Sequence, residues 1–302
     1  MKYFRILLLL GAVSLAWAQI GGPGLTTLTS PSALWLYSAP TGSYTDLSGN
    51  SSVQGLLAQV NNANNGIPVQ YTDGSYGTTT FNDYNYWGRQ DNVAVPNMQS
   101  NGCGFTPATN SDGHLSIVNT SNRMEYEFWR FCADSNGCPT TCPTNQSPYS
   151  IGWIHGQSLN ATNGADGGAT AAGIIGIAGV ILPGELDIDE PLHHALSIYV
   201  PESMMNPNIC TETPANHTDG SVSGAIFCEG AKLRMDPSVN VDSLSASVAA
   251  KSIMKTMQLY GGVIVDQSGC SNCIGFYSAL PDYPDIAGLD QMMNHLWIYY
   301  GS

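Results

Sequence analysis

Basic residues are scarce in this chain. Nine Lys and Arg stand against 23 Asp and Glu in 302 residues, a formal net charge of −14. A chain so acidic repels nucleic acid and anionic membrane surfaces, which excludes both as partners. Charge of either sign is sparse, at 11% of residues, so solubility rests on Asn, Ser, Thr and Gly. Long apolar runs are missing too: nothing after the N-terminus approaches the roughly 20 residues that a spanning helix needs, and membrane insertion is not expected. No Gly-x-Ser-x-Gly elbow occurs, and Gly220 to Gly224 reads as a loop. No glycine-rich phosphate loop is followed by Lys-Ser/Thr, and no His-x-His or His-Glu-x-x-His spacing is present. Serine hydrolysis, nucleotide binding and a sequence-encoded zinc site are therefore set aside, and no metal or cofactor is expected.

What is present begins with an export signal. Met1 to Arg5 is short and basic, Ile6 to Val13 is apolar, and Ala16-Trp17-Ala18 has the form of a cleavage site. Residues 1–18 are read as a signal peptide and residues 19–302 as one secreted domain, extracellular or periplasmic. Lys2 and Arg5 leave with the signal, so seven of nine basic residues remain and the net charge moves from −14 to −16. All eight cysteines, Cys103, Cys132, Cys138, Cys142, Cys210, Cys228, Cys270 and Cys273, follow the signal. An even count in an exported chain reads as disulfides, with Cys210–Cys228 the favoured pair. Cys138 with Cys142 and Cys270 with Cys273 are each spaced like half a zinc site, but an oxidising compartment favours disulfides. Asn50, Asn119, Asn145, Asn160 and Asn216 begin glycosylation sequons.

Short strands dominate the pattern. Residues 32–37 read as a strand and Ser52 to Asn62 as a short helix, while 112–156 read as a three-strand meander. Residues 163–168 form a Gly/Asn loop. Ala169 to Leu182 is small and apolar throughout, and reads as buried backbone passing under the sheets. Strands follow at 194–200, 229–235 and 263–265. A helix capped by Asp242 or Ser243, burying Leu244, Val248, Ile253 and Met257, ends at Gly261-Gly262. A last helical piece spans about Leu289 to Trp297. With no internal repeat and no linker, the pattern predicts a mostly β single domain. It would be a β-sandwich or jelly roll with one packed amphipathic helix and disulfides.

The most informative stretch is Arg123 to Arg130. Alternation puts Met124, Tyr126 and Phe128 on one face, read as core, and Glu125, Glu127 and Trp129 on the other. Two carboxylates about 7 Å apart along one strand, beside an indole, suit a polar ring-shaped ligand. Glycosidic cleavage needs two carboxyls about 5–5.5 Å apart for retention or about 6.5–9.5 Å for inversion, and same-face strand neighbours supply either. His114, His155, His193, His194, His217 and His295 add candidate proton carriers.

Two resemblances add to this. The order Asp112-Gly-His114, Tyr126-Glu127-Phe128-Trp129, the run into Gly179, His194-Ala195-Leu196, Glu229 to Arg234 and Tyr260 to Asp266 resembles a family of secreted bacterial and fungal proteins over about residues 110–270. That likeness implies the order of the elements and matches His114, Glu127, His194, Arg234 and Asp266 to motif positions; it implies no activity. Gly184 to Glu190 resembles the Glu-x-Asp-x-x-Glu strand of laminarinase- and lichenase-type glucanases. This implies Glu185 as nucleophile, Asp187 as its orienting partner and Glu190 as acid/base.

The expectation is a secreted glycan-active hydrolase. Glu127 is its key carboxyl, partnered by Glu125, Glu185 or Glu190, with His194 relaying protons. Trp129, His114 and Arg234 position a polysaccharide or cell-surface glycan. Two alternatives come from other chemistry. One is a non-catalytic extracellular structural or carbohydrate-binding protein, for which self-assembly would be natural. The other is a lyase working through histidine and tyrosine.

Overall fold

A computed structural model describes residues 42–81, 92–110, 112–140, 153–158, 169–208 and 215–300. The expected signal peptide, the strand at 32–37, the loop at 163–168 and the two cysteines at 142 and 210 lie outside the described residues. Within them the chain is mostly β, as the pattern predicts. The largest sheet has seven strands: β1 (Thr45–Asp46), β13 (Leu296–Tyr299), β10 (Lys232–Met235), β11 (Gly262–Ser268), β9 (Leu196–Pro201), β12 (Cys273–Phe276) and β2 (Leu57–Val60), in that spatial order. β9 runs parallel to β11 and β2 parallel to β12; the other pairs are antiparallel.

One face of this sheet is covered by helix α2 (Val248–Leu259) and a 3-10 helix over Leu289–His295. Ile198, Val200, Leu233, Met235, Ile264, Leu296 and Ile298 meet Ile253, Met254, Met257, Met292 and Met293 there. The helix forms because apolar side chains recur at helical spacing, and Ser247 caps it by accepting from the Ala250 N–H. It starts later than the sequence suggested. Asp242 and Ser243 belong to a separate 3-10 turn, and Val248, expected inside, is 47% exposed. The helix stops where Gly261 takes φ +69°, a conformation that costs glycine little.

Two other helical expectations are corrected. Only Ser51–Gln54 forms a turn of helix, α1, capped by Asn50. Residues beyond Gly55 become β2, in which Leu57 and Gln59 face out and Ala58 and Val60 face in. The apolar residues at 53, 56, 57 and 60 suit a helix, whereas those at 56, 58 and 60 suit a strand, and pairing with β12 decides for strand. Residues 296–299 likewise leave the terminal 3-10 helix and become β13.

The smaller sheet is the predicted meander with one strand added. β6 (Leu115–Asn119), β7 (Met124–Trp129) and β8 (Trp153–Ser158) are antiparallel, and β3 (Val69–Thr72) joins β6 in parallel. A ribbon of β4 (Thr78–Phe81) and β5 (Val93–Pro96) contributes to an aromatic cluster of Phe81, Phe105, Phe128 and Phe131. Cys103–Cys138 and Cys270–Cys273 are disulfides, not metal ligands, and Cys132 and Cys228 are also disulfide-bonded. Among the described residues no helix is long and apolar enough to cross a membrane.

Candidate functional site

The segment 169–182 decides what the strand carboxylates do. It makes turns and no regular strand, yet residues 170 and 172–182 are buried. Ile174, Ile175, Ile177 and Val180 pack with Val118 of β6, Tyr199 of β9, and Val263 and Val265 of β11. Irregular backbone at such depth has N–H and C=O groups that neither helix nor ladder satisfies, and water is excluded. The sequence answers with polar side chains aimed inward. The Gly176 N–H donates to Glu127 Oε2 at 2.5 Å and the Ile177 N–H to Glu125 Oε1 at 2.9 Å. The Ser116 hydroxyl donates to the same Glu125 oxygen at 2.6 Å. Thr170 bonds both backbone groups of Ile174, and the Ser197 hydroxyl donates to the Ala178 carbonyl.

The predicted division of β7 into two faces therefore holds, with Tyr126 and Phe128 packed in the aromatic cluster. The other face is not open to a ligand: Glu125 and Glu127 are both 0% exposed. Burial pushes Glu125 up to about 7, and it pushes Glu127 well above the usual carboxylate range, where the neighbouring Glu125 charge adds to the effect. Their geometry is that of a bracket clamping a buried turn. Gly176 leaves room for that contact: an added Cβ would sit 2.5 Å from Glu127 Oε2, so the carboxyl group would have to move.

The other expected participants separate into distinct places. Glu185 and His194 do meet, with His194 Nε2 lying 3.2 Å from both Glu185 oxygens and Nδ1 lying 2.8 Å from the Ala195 carbonyl oxygen. Burial alone would lower the His194 pKa, but the Glu185 charge and these hydrogen bonds outweigh it and raise it. Both ring nitrogens face acceptors, which the doubly protonated ring satisfies. Glu185 also accepts from the Leu182 N–H at 2.7 Å, so the pair fastens the end of the buried segment.

Glu190 is exposed and takes no part in this pair. The run 184–190, expected as a glucanase-like strand, is a series of turns between Pro183 and Pro191. Its Asp189 is held by Lys255 at 2.9 Å. His114 is buried against Tyr277, ring centroids 6.2 Å apart, and burial lowers its pKa. Trp129 carries the Arg130 guanidinium over its ring at 4.2 Å.

Arg234 belongs to a different surface. On β10, Leu233 and Met235 face the helix, so Lys232 and Arg234 face the opposite side. On β13, Trp297 and Tyr299 do the same, and pairing sets Arg234 opposite Trp297 and Lys232 opposite Tyr299. Tyr44 completes the patch at 6.2 Å from Trp297 and 5.7 Å from Tyr299, centroid to centroid. Lys232 Nζ lies 5.9 Å from the Tyr299 ring, and the Arg234 guanidinium lies at the same distance from Tyr44. The Arg234 Nε–H donates to the Gln258 carbonyl at 3.1 Å, which fixes its direction. Buried segment 169–182 covers β9, β11 and β12 on this side of the sheet, whereas Trp297, Tyr299, Lys232 and Arg234 stay partly exposed and Tyr300 is exposed.

Comparison with protein-family models, characterised proteins and solved structures finds no match. Function must therefore be argued from the chain's own chemistry. Sequence reasoning missed the aromatic patch because Trp297 was read into a helix. A strand period over Leu296 to Tyr299, apolar then aromatic twice, was the available signal. It also missed a cluster of three carboxylates, Asp219, Glu229 and Asp266, of which only Asp266 was singled out.

Proposed function

We propose that this chain is an exported, non-catalytic carbohydrate-binding protein whose ligand surface is the Tyr44, Trp297, Tyr299, Lys232 and Arg234 face. The observation that carries this reading is the Tyr44 ring set against both Trp297 and Tyr299, at 6.2 and 5.7 Å, on one partly exposed sheet face, with two basic side chains among them. Pyranose rings lay their C–H faces on such aromatics, while Tyr hydroxyls, the Trp N–H and cationic groups reach sugar oxygens. In a chain with nine basic residues, two in one patch favour polysaccharides that carry acidic sugars. The disulfides and the acidic, Asn/Ser/Thr-rich composition suit an extracellular setting. Turnover is not part of this proposal, because the two strand carboxylates that suggested it are spent on the backbone of 169–182.

The test is binding of the purified protein to a panel of neutral and uronate-bearing polysaccharides, with product release followed in parallel. W297A or Y299A should weaken binding about tenfold, the order expected for losing one stacking ring, whereas E127Q should leave it unchanged. Equal binding by W297A, Y299A and wild type removes the proposed face. Hydrolysis of any panel member that E127Q abolishes removes the non-catalytic reading.

A further inference from the structure

The carboxylate cluster uses none of the side chains of the two surfaces described so far, although its loop and strand border segment 169–182 through Asn216 and Val265. Asp266 stands on β11, where the register against β9 slips between Ile264 and Asp266. Such a bulge re-aims the side chain that follows it. Asp266 is thereby turned toward Tyr277, whose hydroxyl donates to Oδ2 at 2.9 Å, while Oδ1 accepts from the Gln267 N–H at 2.9 Å. Glu229 is held between disulfide-bonded Cys228 and Gly230, whose N–H donates to the Ile264 carbonyl. Asp219 comes from the loop at 215–220, and its backbone N–H donates to Glu229 Oε2 at 3.0 Å. One carboxylate oxygen from each of the three lies within 4.8 Å of the others.

A second observation points to a ligand. Glu229 is 0% exposed, yet its Oε1 has no hydrogen-bond partner. Asp219 Oδ1 and Gln267 Oε1 are also buried oxygens without a partner, and the Gln267 amide is tied to this loop through Nε2, which donates to the Asp219 carbonyl at 3.2 Å. The charges acting on Glu229 are Asp219 and Asp266; those acting on Asp266 are Asp219 and Asp112. Tyr277, Thr218 and the backbone N–H groups of Asp219 and Gln267 supply donors to part of the cluster. No cation is among the charges acting on it, however, and each buried acceptor left over costs about 1–3 kcal/mol and more when ionised.

We propose that Asp219, Glu229 and Asp266 form a structural Ca²⁺ site, with Gln267 Oε1 as a neutral oxygen beside them. A hard divalent cation takes oxygen ligands at about 2.3–2.6 Å, so two oxygens sharing one ion stand up to about 5 Å apart. The observed spacing falls inside that limit, and an all-oxygen set with no His or Cys suits Ca²⁺ over softer metals. The ion would pin the 215–220 loop to β11 and to the disulfide-bonded turn at Cys228.

The experiment uses the full mature protein with its disulfides intact, stripped with EDTA, then titrated with CaCl₂ by calorimetry and by thermal unfolding. One site is expected, with Kd at or below about 10⁻⁴–10⁻³ M, the range of extracellular modules. Tm should rise by about 5 °C at a hundredfold excess over Kd, and less with MgCl₂. E229Q and D266N should each weaken Ca²⁺ binding at least about tenfold. E229Q keeps the shape of the site and should match the wild-type Tm in EDTA within a few degrees, so a folded variant carries the comparison. No heat and no Tm shift up to about 10 mM CaCl₂ would overturn the site and leave three carboxyls sharing protons. Unchanged affinity in both folded variants would overturn it equally.

Discussion

Replacing Glu127 separates a carboxylate that clamps backbone from one that faces a ligand. Glu127→Ala leaves the buried Gly176 N–H without its acceptor, and the Ala169 N–H with it. Each orphaned donor costs about 1–3 kcal/mol, and the vacated volume adds to this, so a loss of about 4 kcal/mol is expected. Glu127→Gln keeps an acceptor oxygen and the side-chain volume, and should stay within about 1 kcal/mol of wild type at pH 5. The difference then changes with pH. Burial raises both strand carboxylates above the ordinary glutamate value, so the folded state holds protons that the unfolded state releases. Wild-type stability falls as pH rises from about 4.5 through the folded values. For Glu125, taken up to about 7, the full swing is on the order of 3 kcal/mol. Glutamine has no proton to lose, so the stability of E127Q relative to wild type should climb between pH 5 and pH 8. Urea unfolding of wild type, E127Q and E127A at both pH values, with disulfides intact, measures this as shifts in midpoint. A loss below about 0.5 kcal/mol in E127A, or an E127Q difference that ignores pH, would refute the bracket.

Two further outcomes follow from the same segment. Gly176→Ala should destabilise by about 2 kcal/mol, since its Cβ meets Glu127 Oε2 at 2.5 Å; in the E127A background that cost should shrink by more than half, measured as a double-mutant cycle. The raised His194 pKa means that the Glu185 pairing contributes fully below about 6.5 and is lost as pH rises through the folded value; Glu185→Gln should lower the His194 pKa, read by NMR titration, and flatten that part of the stability profile.

Much of the fold was legible because alternation survives where a strand has one apolar face. The meander around β7, the strands at β9, β10 and β11, and the helix ending at Gly261 all follow from local periodicity. The errors fall where a tertiary partner chose between two permitted periods. β2 and β13 carry apolar spacing that also suits a helix, and only pairing with β12 and with β10 settles them. The Glu125/Glu127 face was read correctly as distinct and wrongly as open. Sequence shows a polar face, but what covers it arrives some fifty residues later, as 169–182. That segment was itself read correctly as buried backbone. Linking the two readings needed one further question: which side chains satisfy its N–H groups. The carboxylate cluster was out of reach because Asp219, Glu229 and Asp266 come from three separate segments.

The pairing of the largest sheet also bears on how the protein is made. Thr45 stands opposite Ile298 and Leu57 opposite Cys273, so strands from near the start of the chain find their neighbours only near its end. Closing such distant contacts is entropically slow. During synthesis β1 and β2 emerge long before β13 and β12 exist, so the largest sheet stays incomplete until those strands have been made.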